Sequence, residues 1–158
     1  MRTVGRWLLL LLTLGWMGLI FYMSAATGGE SGGMSREVAM AVGKTFHSDF
    51  EQWSAEEQAA FAQRLQQPIR KLAHFSEYAL LGLLLSFTLQ LWGMGGKRRF
   101  FAALAGGVFY AATDEFHQLF VPGRVGAVTD VLIDSAGVLG GCALVALILY
   151  IHKKRRRV

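Results

Sequence analysis

Residues 131–151 read VLIDSAGVLGGCALVALILYI, an apolar run whose single charge, Asp134, stands near its start. A bilayer core of about 30 Å is spanned by about 20 such residues in an α-helix. Working outward, three more runs follow the same pattern: about 7–23, with no charge; about 72–92, interrupted by His74 and Glu77; and about 100–120, which contains Asp114, Glu115 and His117. Charged residues make up 17% of the 158-residue chain and apolar residues 53%, with the apolar ones concentrated in these runs. A soluble domain averages roughly 25% charged residues. The expected fold is therefore all-α: a single membrane domain over 1–158, a four-helix transmembrane bundle with a short amphipathic segment, 24–70, outside the membrane between the first two spans.

Charge placement orients the bundle. Arg2 and Arg6 precede the first run, Lys97, Arg98 and Arg99 separate the second from the third, and Lys153, Lys154, Arg155, Arg156 and Arg157 follow the fourth. No acidic residue stands among them; all 11 acidic residues fall in the other two connections or the helix ends beside them. Basic loops stay in the cytoplasm, so both termini and the 93–99 loop are expected on the cytoplasmic side of the membrane. The net charge of +5 then reports topology rather than nucleic-acid binding, for which no basic, base-stacking patch exists. Ser24-Ala25-Ala26 would pass as a leader's cleavage site, but the first run exceeds the usual 7–15 apolar residues, and a retained span is expected.

Within 24–70, the glycine-rich stretch 24–33 reads as a flexible link. Ser35 is expected to cap a helix with Val38, Val42 and Phe46 on its apolar side. Ser54 and Glu57 match a capping box that opens a second helix, with Phe61, Leu65 and Ile69 on one face, ending near Pro68. Such helices lie on the outer leaflet or cover the outer ends of the bundle. Cys142, the lone cysteine, is expected to be a small packing residue.

The polar residues of the spans share one depth. Lys71, His74, Glu77 and Tyr78 fall in the first two turns of the second span, with 71, 74 and 78 on one face. Asp114, Glu115 and Gln118 fall in the last two turns of the third, His117 one residue off their stripe. Asp130 and Asp134 are four apart at the start of the fourth, on a stripe continuing through Gly137 and Gly141, and Arg124 sits in the turn between the last two spans. Glu77, Asp114 and Asp134 would lie roughly 6–9 Å below the outer boundary, where facing lipid is costly. They are expected to face one another and Lys71, His74 and Arg124.

The pattern Arg70-Lys71-Leu72-Ala73-His74-Phe75-Ser76-Glu77-Tyr78 resembles a Lys-x-x-His-x-x-x-Tyr helix start in VanZ-like membrane proteins. Thr113-Asp114-Glu115-Phe116-His117-Gln118, followed by Pro122-Gly123-Arg124, is similar to that family's Asp-Glu-x-x-Gln…Arg segment, and Asp130–Gly137 to its third block. Phe21-Tyr22-Met23-Ser24, with Ser31 and Ser35, is similar to the stretch after its first span. The resemblance implies a bacterial cell-envelope protein, multi-pass in the cell membrane, in a family named for resistance to teicoplanin, an antibiotic that carries a lipid chain.

Three readings of the cluster stay open. The site Lys71, His74, Glu77, Tyr78, Asp114, Glu115, Gln118, Arg124, Asp130 and Asp134 binds a membrane lipid, a lipid-linked wall precursor or an acylated glycopeptide in the outer leaflet. Alternatively, Asp114 or Glu115 as base and His74 as acid or base catalyse a reaction on such a lipid. Or the groups only join helices, through bonds worth about 0.6–2 kcal/mol each. No nucleophilic serine or cysteine motif is present. His74, Glu77, Asp114 and His117 lack metal-site spacing, so neither metal nor cofactor is expected. The inner halves of the spans read as apolar, which argues against a continuous polar route through one chain. Alanine at Glu115 or Arg124 is expected to abolish function and leave folding intact. The sequence carries no signal for oligomeric state.

Overall fold

The computed structural model describes residues 2–156. The side chain of Arg2 and the whole of Arg157, both counted in the basic flanks, lie outside the described residues. Five α-helices follow in order: α1 Arg2–Ser24, α2 Gly28–Phe46, α3 Ala55–Leu91, α4 Gly96–Gln118 and α5 Val128–Arg155, with a 3-10 turn at Phe50–Gln52. No strand occurs among the described residues. Three helices, α1, α3 and α5, are long and apolar enough to cross a membrane. The fourth expected span, α4, is less apolar because Lys97, Arg98 and Arg99 open it and Asp114, Glu115 and His117 close it.

The glycine-rich stretch is not a link. Thr27 caps α2: its Oγ1 accepts the Glu30 N–H at 3.3 Å while Glu30 Oε2 accepts the Thr27 N–H at 2.8 Å. Gly28, Gly29, Gly32 and Gly33 each cost roughly 1 kcal/mol of helix propensity, of which the reciprocal box offsets only about 1 kcal/mol; packing of α2 on α3 and on the turn at Pro122 offsets the rest. Gly28 is needed for close approach, since a Cβ there would run into the Gly123 carbonyl, and its N–H donates to Pro122 O at 3.1 Å. The start of α2 is thereby pinned to the turn between α4 and α5. Ser35 does not cap; it lies inside α2 and donates to the Ser31 carbonyl at 3.0 Å. The buried side of α2 is also not the expected one. It is Ser31, Ser35, Ala39 and Gly43, small residues that let α2 approach closely, while Val38 and Phe46 are exposed.

The Ser54–Glu57 box stands as read, with the Glu57 N–H on Ser54 Oγ at 3.3 Å and the Ser54 N–H on Glu57 Oε2 at 2.8 Å. Ser54→Ala is expected to destabilise the protein by about 1 kcal/mol, read as a lower melting temperature in detergent; an unchanged melt would remove the cap's role. The helix it opens does not end near Pro68. It runs on to Leu91 as one 37-residue helix, roughly 55 Å long. Interior proline costs about 3 kcal/mol, offset here by the apolar run beyond it and by α2 packed along the first half of α3. Phe61 closes an aromatic cluster there with the fully buried Phe50, with Trp53 and with His47.

In the bundle, α3 and α5 touch backbone to backbone. A Cβ on Gly137 or Gly141 would strike the main chain of α3 at Phe75 or Ala79, and one on Gly82 would strike Val138. Ile20, Tyr78, Leu81, Ala103, Ala111, Val138 and Cys142 form the shared core, with Cys142 buried as a small packing residue. α1 is tied on by three bonds: Thr13 Oγ1 to Thr88 Oγ1 at 2.8 Å, Trp16 Nε1 to the Glu77 carbonyl at 3.0 Å and Tyr110 Oη to the Met17 carbonyl at 2.6 Å. The half of the bundle nearer the chain ends is not purely apolar, contrary to the expectation from sequence. Thr13, Ser86, Thr88 and Arg99 are buried in it. Thr13 and Thr88 are tolerated there because their hydroxyls bond across helices, and Thr13 Oγ1 also donates to the Leu9 carbonyl at 2.8 Å.

Candidate functional site

At the other end, where α3 and α5 approach the turn that follows α4, the chain folds its acidic residues inward. Asp114 is 2% exposed, Glu115 6% and Asp134 1%. Their placement follows from helix phase. Asp114 and Gln118 continue the buried Gly107–Ala111 stripe of α4, and Asp134 continues the Gly137–Gly141 stripe of α5. The residues that close the helix contacts thus aim the acids.

The ten candidate residues do not all line one pocket. A cavity of about 130 Å³ opens between α1, α2 and α3, with His74, Glu77, Asp114 and Arg124 on its wall. Its apolar side is built by Ile20, Met23, Met34, Val38 and Ile69, and Ser24, Ser31, Ser35 and Arg70 add polar groups to its lining. Behind His74, a smaller recess holds Lys71, Asp130 and Asp134. Lys71 Nζ lies 3.7 Å from Asp130 Oδ1, and His74 Nδ1 lies 3.6 Å from Asp134 Oδ1. His74 belongs to both walls. Tyr78 is fully buried beneath them.

Four of the candidates hold the main chain or each other. Glu115 Oε1 accepts the Ala127 N–H at 2.6 Å, which fixes the entry to α5. Arg124 Nε donates to the Ala26 carbonyl at 3.0 Å, tying the turn after α4 to the junction of α1 and α2. Gln118 Nε2 reaches Asp114 Oδ2 at 3.4 Å. Alanine at Glu115 or Arg124 therefore removes structural bonds along with any ligand contact. His117 turns its ring onto Phe21, with centroids 4.4 Å apart.

What remains unsatisfied marks the chemistry. Asp114 Oδ1, Glu115 Oε2, both oxygens of Asp134, Tyr78 Oη, Ser24 Oγ and His74 Nδ1 are buried without a hydrogen-bond partner among the described residues. Buried polar groups are normally paired, and leaving one unpaired costs about 1–3 kcal/mol. On the cavity wall, Asp114 and Ser24 offer acceptors while Arg70 and Arg124 offer cationic donors. Burial and the neighbouring Arg70 charge both lower the Arg124 pKa from its ordinary value; guanidinium stays charged at neutral pH all the same. A group bearing an anion together with hydroxyls or amines, attached to an apolar body, matches this wall.

Sequence reasoning did not assign Ser24, Ser31, Ser35 or Arg70 to the site. The four-residue repeat Ser31-Ser35-Ala39-Gly43 is the signal that would have found the serines, since small residues at helical spacing mark a close helix contact.

The description VanZ/LLP1 belongs to a family model that matches residues 9–150 of the chain. No curated protein and no solved structure matches it.

Proposed function

This chain belongs to the VanZ/LLP1 family, and from that membership and the wall chemistry of the cavity we propose a multi-pass membrane protein of the bacterial cell envelope that binds the head of an amphiphile at the outer leaflet. In this reading α4 crosses the membrane beside α1, α3 and α5, completing four spans. Its 23 residues reach roughly 34 Å, and Phe101 and Phe109 are exposed on its outer side. The basic flanks favour both termini in the cytoplasm, and in this reading the carboxylate end faces outward. The amphiphile is a membrane lipid, a lipid-linked wall precursor or an acylated glycopeptide such as teicoplanin.

One observation carries this proposal. The 130 Å³ cavity is lined by Asp114 and Ser24, whose Oδ1 and Oγ are buried without a partner among the described residues, together with Arg124, Met23, Met34, Val38 and Ile69. Arg124 takes the anionic group in a planar fork, Asp114 accepts from a hydroxyl or amine, and the apolar residues meet the first carbons of the chain. Lys71 is held by Asp130 on the far side of His74, so it orders the recess rather than touching the head.

The test is retention. Full-length protein in nanodiscs is incubated with labelled phosphatidylglycerol, a polyprenyl-linked wall precursor and teicoplanin, and bound species are counted by native mass spectrometry. One amphiphile is expected to be retained over phosphatidylcholine, and Arg124→Gln to weaken it at least about tenfold. Equal retention of all four compounds, or no effect of Arg124→Gln, would overturn the proposal. The His74–Asp134 pair at 3.6 Å favours a second reading, acid–base chemistry on the bound amphiphile. A converted product lost in His74→Gln would establish it.

A further inference from the structure

The end of the bundle that carries the chain termini has a buried cation with no anionic partner among the described residues. Arg99, in the first turn of α4, is only 5% exposed. One of its terminal nitrogens donates to Gln90 Oε1, a neutral acceptor, and its Nε has no partner among the described residues. No Asp or Glu occurs in residues 78–113 or 135–156, so the helices around this arginine offer it no carboxylate. Burying a charge without a counter-charge is among the most costly arrangements a protein can adopt.

The surroundings add more positive potential. Arg99 lines an open groove of about 570 Å³, together with Lys97, Lys153, Gln90, Phe100 and Tyr150. The groove contains the start of α4, whose N-cap is Gly95, a residue with no side chain to accept the first-turn N–H groups. Those groups and the helix dipole attract anions. Two exposed lysines, one buried guanidinium and a bare helix start thus converge on one groove, and Phe100 and Tyr150 form an apolar wall beside them.

We infer that this groove is a second, separate binding site, for a phosphate-type anion supplied by a phospholipid headgroup at this membrane face or by a soluble phosphate. The buried Arg99 and the α4 amides meet the phosphate oxygens; Lys97 and Lys153 approach from the rim. Phe100 and Tyr150 suit glycerol and acyl carbons, which makes the lipid the better occupant. The site is independent of the carboxylate end and stands whether or not that end binds an amphiphile.

Full-length protein is purified in a neutral maltoside detergent and titrated in one arm with phosphatidylglycerol against phosphatidylcholine, followed by native mass spectrometry. In the other arm, inorganic phosphate is added against chloride at equal ionic strength and the melting temperature is read. Phosphatidylglycerol is expected to bind at least about tenfold tighter than phosphatidylcholine, with Lys97→Gln and Lys153→Gln each weakening it about fivefold and Arg99→Gln more than either. Stabilisation by inorganic phosphate, lost in Lys153→Gln, would assign the anion to a soluble source and support the site. Should Arg99→Gln fail to fold, the two exposed lysines decide alone. The site is refuted if neither phosphate source binds, or if binding survives in Lys97→Gln and Lys153→Gln. Adducts that vanish only in Arg124→Gln would belong to the other cavity and refute it equally.

Discussion

Gly141→Val is expected to deprive the chain of its folded state. A side chain at this position would enter the main chain of α3 at Ala79 and Leu83, atoms that cannot rotate away as a side chain would. Overpacking that a core can relax costs about 1–3 kcal/mol; here the helices themselves must separate, so the cost lies at or beyond that range. Against a total stability of about 5–15 kcal/mol, and with Gly82 and Gly137 in the same close contact, little of the fold survives. The check is the monodisperse fraction on size exclusion in detergent, with the melting temperature of whatever elutes. The neighbouring Gly140→Val is the control. It is exposed, and the only atom near its would-be Cβ is Phe75 Cζ at 3.9 Å, so it should fold as the parent does. If Gly140→Val and Gly141→Val behave alike, the α3–α5 contact described here is wrong.

The second large effect separates function from stability. Asp114→Asn keeps the shape of a side chain that is 2% exposed and leaves an oxygen for Gln118. It removes an acid that sits among Glu77, Asp134 and Glu115 with one oxygen unpartnered. A group retained for binding rather than for folding is a stability cost. The melting temperature is therefore expected to hold or rise, while retention of the amphiphile falls roughly 10- to 100-fold, the worth of a hydrogen bond to a charged group. A variant that melts lower and binds as before would make Asp114 a piece of scaffold. That outcome would also withdraw the amphiphile reading, because the unpartnered Oδ1 of the buried acid on the cavity wall would then have no ligand to meet.

These two substitutions show how differently the parts of the molecule could be read. The stripe Asp130-Asp134-Gly137-Gly141 is plain in the sequence, and so is the direction it must face. Small residues at four-residue spacing make a close contact, and acids at that depth cannot face lipid. The inward turn of Asp114 and Asp134 needed no coordinates. Which atoms meet did. That Lys71 takes Asp130 and His74 takes Asp134 depends on the register between α3 and α5, which periodicity within either helix does not contain. The same limit hid the division of the ten candidates between a cavity and a recess.

By itself, then, the sequence determined what one-dimensional spacing and solvent preference control: helices throughout, four apolar runs of which those in α1, α3 and α5 are long and apolar enough to span a bilayer, acids gathered at one end, bases at the other and a cap at Ser54. Tertiary structure decided everything that depends on approach between distant segments. Gly28–Gly33 is helical because Thr27 and Glu30 close a cap and the Gly123 turn leaves no room for a side chain. Pro68 is carried inside α3 because its neighbours repay one missing bond. Serines of α2 join the cavity wall, and Arg99 is enclosed without a counter-charge. The physical reason is common to all of these: local propensities are worth about a kilocalorie per residue, and packing across the fold commonly exceeds them.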